Sequence, residues 1–322
     1  MSTDTQPAQF PKETGRDGSF QRQQSAFRNT VGSDEHPVEA GRYHLYVSLA
    51  CPWAHRTVIA RRVLGLEDAI SLSVVDPIRD ERGWAFREGR GHGLDPINGF
   101  DFLAETYRES DPDFEGRVTV PVLYDKQSQR IVNNESSEVL VMLDQAFRPL
   151  AAEGAPELYP AELREAIDEI DPFVYDHVNN GVYRCGFAST QGAYDEAYKT
   201  LFSGLDALEE RLADRRYLCG SRLTTADIRL FTTLVRFDPV YQVHFKCNRQ
   251  RLADFEHLWG YLRDLYQTPG FGETTDFDHI KRHYYVTHRQ LNPSGIVPQG
   301  PDLDFGAPHG REQLAPDGPF GG

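Results

Sequence analysis

The sequence has little sulfur, no long apolar run and no basic cluster. Its 322 residues include 4 cysteines and 2 methionines. Cys51, Cys185, Cys219 and Cys247 are far apart, so they match no zinc-ligand spacing. No Cys-x-x-Cys occurs, which excludes a dithiol–disulfide cycle within one motif. Four scattered thiols are not a disulfide framework and point to a reducing compartment. Residues 1–18 lack the apolar core of a secretory signal. No stretch approaches the ~20 apolar residues of a membrane helix. A soluble, cytoplasmic protein without a membrane partner is therefore expected. With 34 basic and 49 acidic residues the net charge is −15, which repels a nucleic-acid backbone, so none is expected as a partner. Internal repeats are absent as well.

What is present centres on Ser48-Leu-Ala-Cys-Pro-Trp-Ala-His-Arg56. The apolar run 43–49 leads into it as a strand. Val58, Ile59, Val63, Leu64 and Leu66 follow at helical spacing. Cys51 thus falls at the strand-to-helix turn, with Pro52 at the first helical position, where its missing N–H has no intrahelical role. Unpaired N–H groups and the positive end of the helix favour thiolate over thiol there. A lone cysteine is more often a small buried hydrophobe, but the strand, Cys-Pro and amphipathic helix together favour a nucleophile. Without a resolving thiol nearby, such a nucleophile needs an external thiol to complete turnover.

Around this centre the chain divides into four stretches. Residues 1–40 form a polar, irregular arm with isolated Phe10, Phe20 and Phe27. Residues 41–147 alternate strand and helix, with strands expected over 43–49, 69–75, 118–124 and 130–133. Pro121 within the third of these implies an edge, a bulge or a cis bond. Residues 77–116 are glycine-rich, charged and irregular. Their Gly89-Arg-Gly-His-Gly93 follows no predicted strand and opens no clear helix, so it is not a phosphate loop. Asn134-Glu-Ser-Ser137 caps a helix. After a linker at 148–159, residues 160–291 are helical, with helices expected over 163–179, 194–212, 225–235, 255–266 and 276–285. Thr224 and Asp227 make a capping box. Residues 292–322 are rich in Pro and Gly and irregular.

A Cys-Pro strand–helix half joined to an all-helical half resembles a glutathione transferase. The resemblance narrows on Ser48–Thr57, Gly83-Trp-x-Phe86, Asn133-Asn-Glu-Ser-Ser137, Gly181-Val-Tyr-Arg-Cys-Gly-Phe-Ala188, Phe245-Lys-Cys-Asn248 and His279-Ile-Lys-Arg-His-Tyr-Tyr285. This ordered set, spanning about Phe20 to Pro301, is similar to the glutathionyl-hydroquinone reductases, the xi-class glutathione transferases. The resemblance implies an α/β thioredoxin-like N-terminal domain followed by an all-α C-terminal domain, a homodimer, glutathione as co-substrate and no metal. It implies Cys51 as nucleophile and a glutathione site at Trp84, Arg117, Val120, Glu135 and Ser136. Val120, before Pro121, offers its backbone to the cysteinyl part of glutathione. Ser136 at a helix N-terminus suits the γ-glutamyl carboxylate, and Glu135 suits its ammonium. Arg117 faces a glutathione carboxylate and Trp84 covers the tripeptide. Tyr183 and Tyr284 hold the hydroquinone ring and its oxygens, with Tyr285 as a neighbour.

Other polar residues carry less. His279 and His283 stand at i, i+4 without a Glu-x-x-His context, which argues against a metal. His55 lies one turn after Cys51 and suits either a packing role or support of the thiolate. Cys185 and Cys219 read as packed thiols, and Cys247 between Lys246 and Asn248 takes no role. The implied reaction is reduction of glutathionyl-hydroquinones by glutathione through a Cys51–glutathione mixed disulfide. An omega-like thioltransferase or dehydroascorbate reductase would need Cys51 but not the two tyrosines. A non-catalytic binding module would not need Cys51 at all.

Overall fold

The computed structural model describes residues 13–320; Phe10 lies outside them. The described residues form two compact units: one of 23–155 and 276–297, the other of 13–22, 156–275 and 298–320.

The first unit is built on a four-stranded sheet of order β2-β1-β3-β4. Its elements are β1 Tyr43–Val47, α1 Pro52–Val63, β2 Ser71–Val74, α2 Leu103–Ser110, β3 Val122–Asp125, β4 Arg130–Asn133 and α3 Ser136–Gln145. β1 pairs in parallel with β2 and antiparallel with β3, and β3 pairs antiparallel with β4. All residues of β1 and β3 are buried, as expected of central strands covered on both faces. α1 packs against α3, and α2 against β4.

The helix α2 corrects the expectation that all of 77–116 is irregular. Its apolar face is short: Leu103, Ala104 and Tyr107 are buried within eight residues, too few for a periodic signal. Glu105 starts it, accepting from the backbone N–H groups of Asp101 and Phe102 at 3.1 and 2.9 Å. The Tyr107 hydroxyl then ties it to the chain before β3, donating to the Thr119 carbonyl at 2.9 Å.

The arm is not loose where it is described. Residues 27–29 lie along β4 and its end: Asn29 N–H donates to Val132 O, and Asn134 N–H to Phe27 O, at 3.0 and 3.1 Å. This covers polar backbone on β4 that would otherwise be an open edge. Phe27 packs on Tyr107 and Phe114.

Burial in β1 also makes a pH prediction. His44 is 1% exposed, with Nδ1 2.8 Å from Ser71 Oγ. Burial, with Lys126 and Arg61 adding to it, pushes the imidazole down to about 3. An unfolded histidine titrates near ~6.5. The folded value is therefore depressed, and the contribution is fully present above pH ~6.5 and is lost as pH falls towards 3. Urea unfolding should show a loss from this group of about 2 kcal/mol between pH 6.5 and 5. His44→Asn should flatten that slope; an unchanged slope would mean His44 is not its source.

The second unit carries α4 Arg164–Val174, continued by a π-helical turn Tyr175–Asn179, then α5 Gly181–Gly186, α6 Gln191–Arg211 and α7 Thr225–Leu234. A second π-helical turn, Phe237–Tyr241, leads into the short α8 Gln242–His244, and α9 Glu256–Gln267 follows. The capping box is present and extended. Asp227 accepts from Thr224 N–H, and its other oxygen accepts from Leu218 N–H and Tyr261 O–H. The C-terminal stretch is irregular but packed. Arg311 donates to the carbonyls of Leu212, Arg215 and Arg216, and Phe305 stacks on Tyr266.

Two segments fall differently from the sequence expectation. The last expected helix, α10 Phe277–Thr287, belongs to the first unit and not with the helices of 160–275. The arm divides, with residues 13–22 in the second unit and residues 23–40 in the first. Among the described residues no helix is long and apolar enough to cross a membrane.

Candidate active site

β1 delivers the chain to Cys51, the N-cap of α1 with extended backbone (φ −80°, ψ 121°). Cys51 N–H donates to Ser48 O at 3.1 Å, and Cys51 O accepts from His55 N–H at 3.0 Å, which closes the first helical turn. Pro52 opens the helix, and its first turn holds no acidic side chain. The half-buried Cys51 Sγ lies 3.6 Å from the carbonyl oxygen of Val120. The Val120–Pro121 peptide is cis. Cys51 and the Val120 carbonyl, in the bend just before β3, are thus brought together from positions 69 residues apart.

The remaining thiols differ. Cys247 is fully buried, and burial and the neighbouring Cys185 thiol push it well above the ordinary range. Burial pushes Cys219 up to about 12, with Asp227 adding to it. Both therefore stay protonated at neutral pH.

Glu135 and Ser136 sit where β4 passes into α3. Glu135 is the N-cap: Oε1 accepts from Ser137 N–H at 3.2 Å and from its hydroxyl at 2.8 Å. Glu135 Oε2 accepts from the Ser25 hydroxyl at 2.9 Å. Burial pushes the carboxyl up, but these hydrogen bonds and the Arg56 charge outweigh it and hold it below the usual carboxylate range. Ser136 Oγ accepts from Arg56 Nη1 at 3.3 Å, and the same guanidinium lies over Trp53 at 4.4 Å. Arg56 thereby connects the helix that starts at Cys51 to the start of α3.

Trp84 is 4% exposed and stacked on His283 of α10, with ring centroids 5.0 Å apart, while Arg79 lies 5.2 Å from its ring. The i, i+4 pair on α10 has a local purpose. His283 Nδ1–H donates to Pro77 O at 2.7 Å, and His279 Nε2–H to Arg90 O at 2.6 Å. Both histidines thus clamp the irregular 77–93 backbone. Gly91 is part of that clamp: at φ +76°, a Cβ there would meet His279 Nε2 at 2.9 Å. Gly91, and Gly89, where an added Cβ would meet His92 Nε2, thus serve a turn and close approaches.

Tyr284, on α10 in the first unit, is 1% exposed and lies edge-on to His283 and His288. Tyr285 is buried, which pushes its hydroxyl up to about 12. Tyr183 belongs to the second unit, on α5. Its ring is packed by Phe20, Phe187, Tyr241 and Phe245, and the Arg22 guanidinium lies 4.8 Å from it. Arg117 is half-buried in the first unit.

Three residues of this region were not singled out by sequence reasoning: Ser25, Arg56 and Asn134. Arg56 and Asn134 stand inside the quoted motifs and carried a signal. Ser25 lies in a polar arm, where nothing local marks it.

The chain matches the family described as Glutathione S-transferase, N-terminal domain, over residues 50–146, and the C-terminal domain family over residues 191–264. It is 51% identical to glutathionyl-hydroquinone reductase YqjG of Escherichia coli, over 94% of each chain. It is 49% identical to glutathionyl-hydroquinone reductase PcpF of Sphingobium chlorophenolicum, over 88% of this chain and 90% of that one. The Xi-class glutathione transferase of Natrialba magadii is similar in structure, with a TM-score of 0.88 and 52% identity, covering 93% of this chain and 96% of that one. The chain belongs to the glutathionyl-hydroquinone reductases, the Xi-class glutathione transferases. It has the family's thioredoxin-like and helical domains. YqjG has also been solved with glutathione bound, at a TM-score of 0.86 and 50% identity, covering 89% of this chain and 96% of that one. Residues 183 and 284 lie outside both general transferase matches but inside the 94% of the chain that aligns with YqjG.

Proposed function

We propose that this chain reduces S-glutathionyl-hydroquinones to hydroquinones, with glutathione as the reductant and glutathione disulfide as the second product. The observation that carries this is the single thiol Cys51, at a helix start 3.6 Å from the Val120 carbonyl beside cis-Pro121, in a chain half identical to such reductases.

Glutathione lies along the Val120 backbone, which pairs with its cysteinyl peptide as an added strand does. Its γ-glutamyl carboxylate meets Ser136 at the start of α3, and its ammonium meets the Glu135 carboxylate. That role suits a glutamate held ionised by its neighbours. Arg117 balances a second carboxylate. Trp84 borders the tripeptide, its ring held by His283. Tyr183 and Tyr284 hold the ring and its oxygens.

In the first step the Cys51 thiolate attacks the sulfur of the conjugate. An S–S bond forms, and the sulfur–carbon bond breaks with its electron pair going to the ring carbon. That carbon takes a proton from a tyrosine hydroxyl, or the ring accepts it earlier by tautomerising to a ketone form. Hydroquinone leaves and Cys51 carries glutathione. A second glutathione, as thiolate, attacks the glutathione sulfur of this mixed disulfide, releasing glutathione disulfide and the Cys51 thiolate. Two glutathionyl groups are thus oxidised to one disulfide as one ring carbon is reduced.

The test is turnover of a glutathionyl-hydroquinone with excess glutathione, followed by chromatography. Hydroquinone and glutathione disulfide should appear one to one. An untouched conjugate alongside rapid reduction of hydroxyethyl disulfide would instead make the chain a thioltransferase.

A further inference from the structure

The N-terminal arm reaches the proposed glutathione site at Glu135, through the Ser25 hydroxyl and the charge of Arg28. The Ser25 hydroxyl donates to Glu135 Oε2 at 2.9 Å, with the Asn134 carbonyl a second acceptor at 3.3 Å. The other carboxylate oxygen, Oε1, is engaged by Ser137 at the first turn of α3. Each carboxylate oxygen has two lone-pair directions. Oε1 is therefore committed to capping, while on Oε2 the Ser25 hydroxyl takes one direction and leaves the other for an ammonium, so the Ser25 bond helps set where that direction points.

Ser25 is itself held in place. Phe27 N–H donates to Asn134 Oδ1 at 3.1 Å, and Asn134 N–H returns to Phe27 O at 3.1 Å. Asn134 Nδ2 donates to the Tyr107 hydroxyl at 3.0 Å. The Phe27 ring lies against Tyr107 and Phe114, and Arg28 pairs with Glu138 on α3. The arm is thus fastened to α2, β4 and α3 within two or three residues of Ser25, so losing the one hydroxyl should leave its course unchanged.

We propose that Ser25 is a positioning residue of the glutathione site, aiming the Glu135 carboxylate at the ammonium of the γ-glutamyl group and making the arm part of substrate binding. This rests on the reading that Glu135 receives that ammonium. A hydrogen bond to a charged group contributes more than one between neutral groups. It acts on the bound peptide, before and after the sulfur chemistry, so its loss appears in KM and not in kcat.

The experiment compares Ser25→Ala, Ser25→Thr and Glu135→Gln in the full chain. KM and kcat for glutathione are measured at pH 7.5 and pH 5, with thermal melting as a control. Ser25→Ala should raise the KM about 5–10-fold, leave kcat within about 2-fold and melt as the parent does. Its KM defect should be larger at pH 5, because Glu135 loses one of the bonds that keep it ionised. Ser25→Thr, which retains the hydroxyl, should restore the parent KM. An unchanged KM in Ser25→Ala with a raised KM in Glu135→Gln would overturn the role of Ser25 alone. An unchanged KM in Glu135→Gln would overturn the glutathione reading beneath it. A Ser25→Ala defect that is the same at both pH values and comes with a lower melting temperature would mark a structural role and also overturn the proposal.

Discussion

Cys51→Ser should lose glutathionyl-hydroquinone turnover by ~10³-fold or more, because in the proposed mechanism its thiolate forms the intermediate. A serine hydroxyl is a weak nucleophile at neutral pH and cannot make a disulfide with glutathione. The fold should not suffer. Cys51 is the N-cap of α1 and makes no side-chain capping hydrogen bond, whereas serine is among the favoured residues at that position. The variant should melt at or slightly above the parent temperature and still bind glutathione. Mass spectrometry after exposure to glutathione disulfide gives a second readout: the parent should gain one glutathione at Cys51 and the variant none at position 51. Cys219 and Cys247 should remain unmodified in both, since their surroundings keep them as thiols. Near-parental turnover by Cys51→Ser would remove the mechanism.

The second large effect separates a hydroquinone reductase from a general thioltransferase. A disulfide substrate has a thiolate leaving group, which departs unaided. A glutathionyl-hydroquinone has a carbon leaving group, which needs orientation and a proton. Tyr183→Phe with Tyr284→Phe removes two hydroxyls and keeps both rings. Tyr183 stays packed among four aromatic rings, and Tyr284 stays edge-on to two histidines. A general acid acting alone contributes ~10²–10⁴-fold, less where ring tautomerisation shares the task. The double variant should lose at least ~10-fold on the glutathionyl-hydroquinone. Reduction of hydroxyethyl disulfide, which uses only Cys51 and the glutathione site, should change little. Equal losses on both substrates would place the tyrosines in structure or glutathione binding. No loss on either would take them out of the site.

Much of this was legible without coordinates, where the signal was local. Cys-Pro after an apolar strand and before an amphipathic helix places the sulfur at a helix start from eight or nine adjacent residues. Thr224 and Asp227 announce their cap from four. The order of β1, α1, β2, β3, β4 and α3 follows from periodicity and turn residues. The helix α2 did not follow, since its eight residues expose too short an apolar face. Its start depends on Glu105 reaching back, and its place depends on the Tyr107 hydroxyl meeting Thr119.

By itself the sequence determined the place of Cys51 at a helix start, the two-part architecture and the set of motifs that marks the family. Each is written in contiguous residues whose spacing carries physical meaning. Tertiary structure alone decided where the distant segments go. It set α10 in the thioredoxin-like unit, where His279 and His283 satisfy the carbonyls of Arg90 and Pro77. It laid the arm along β4 so that Ser25 meets Glu135, and drew Arg311 onto carbonyls about a hundred residues earlier. The reason is the same each time. Buried backbone groups and charged side chains need partners, and which distant residue supplies one is settled only when the chain packs.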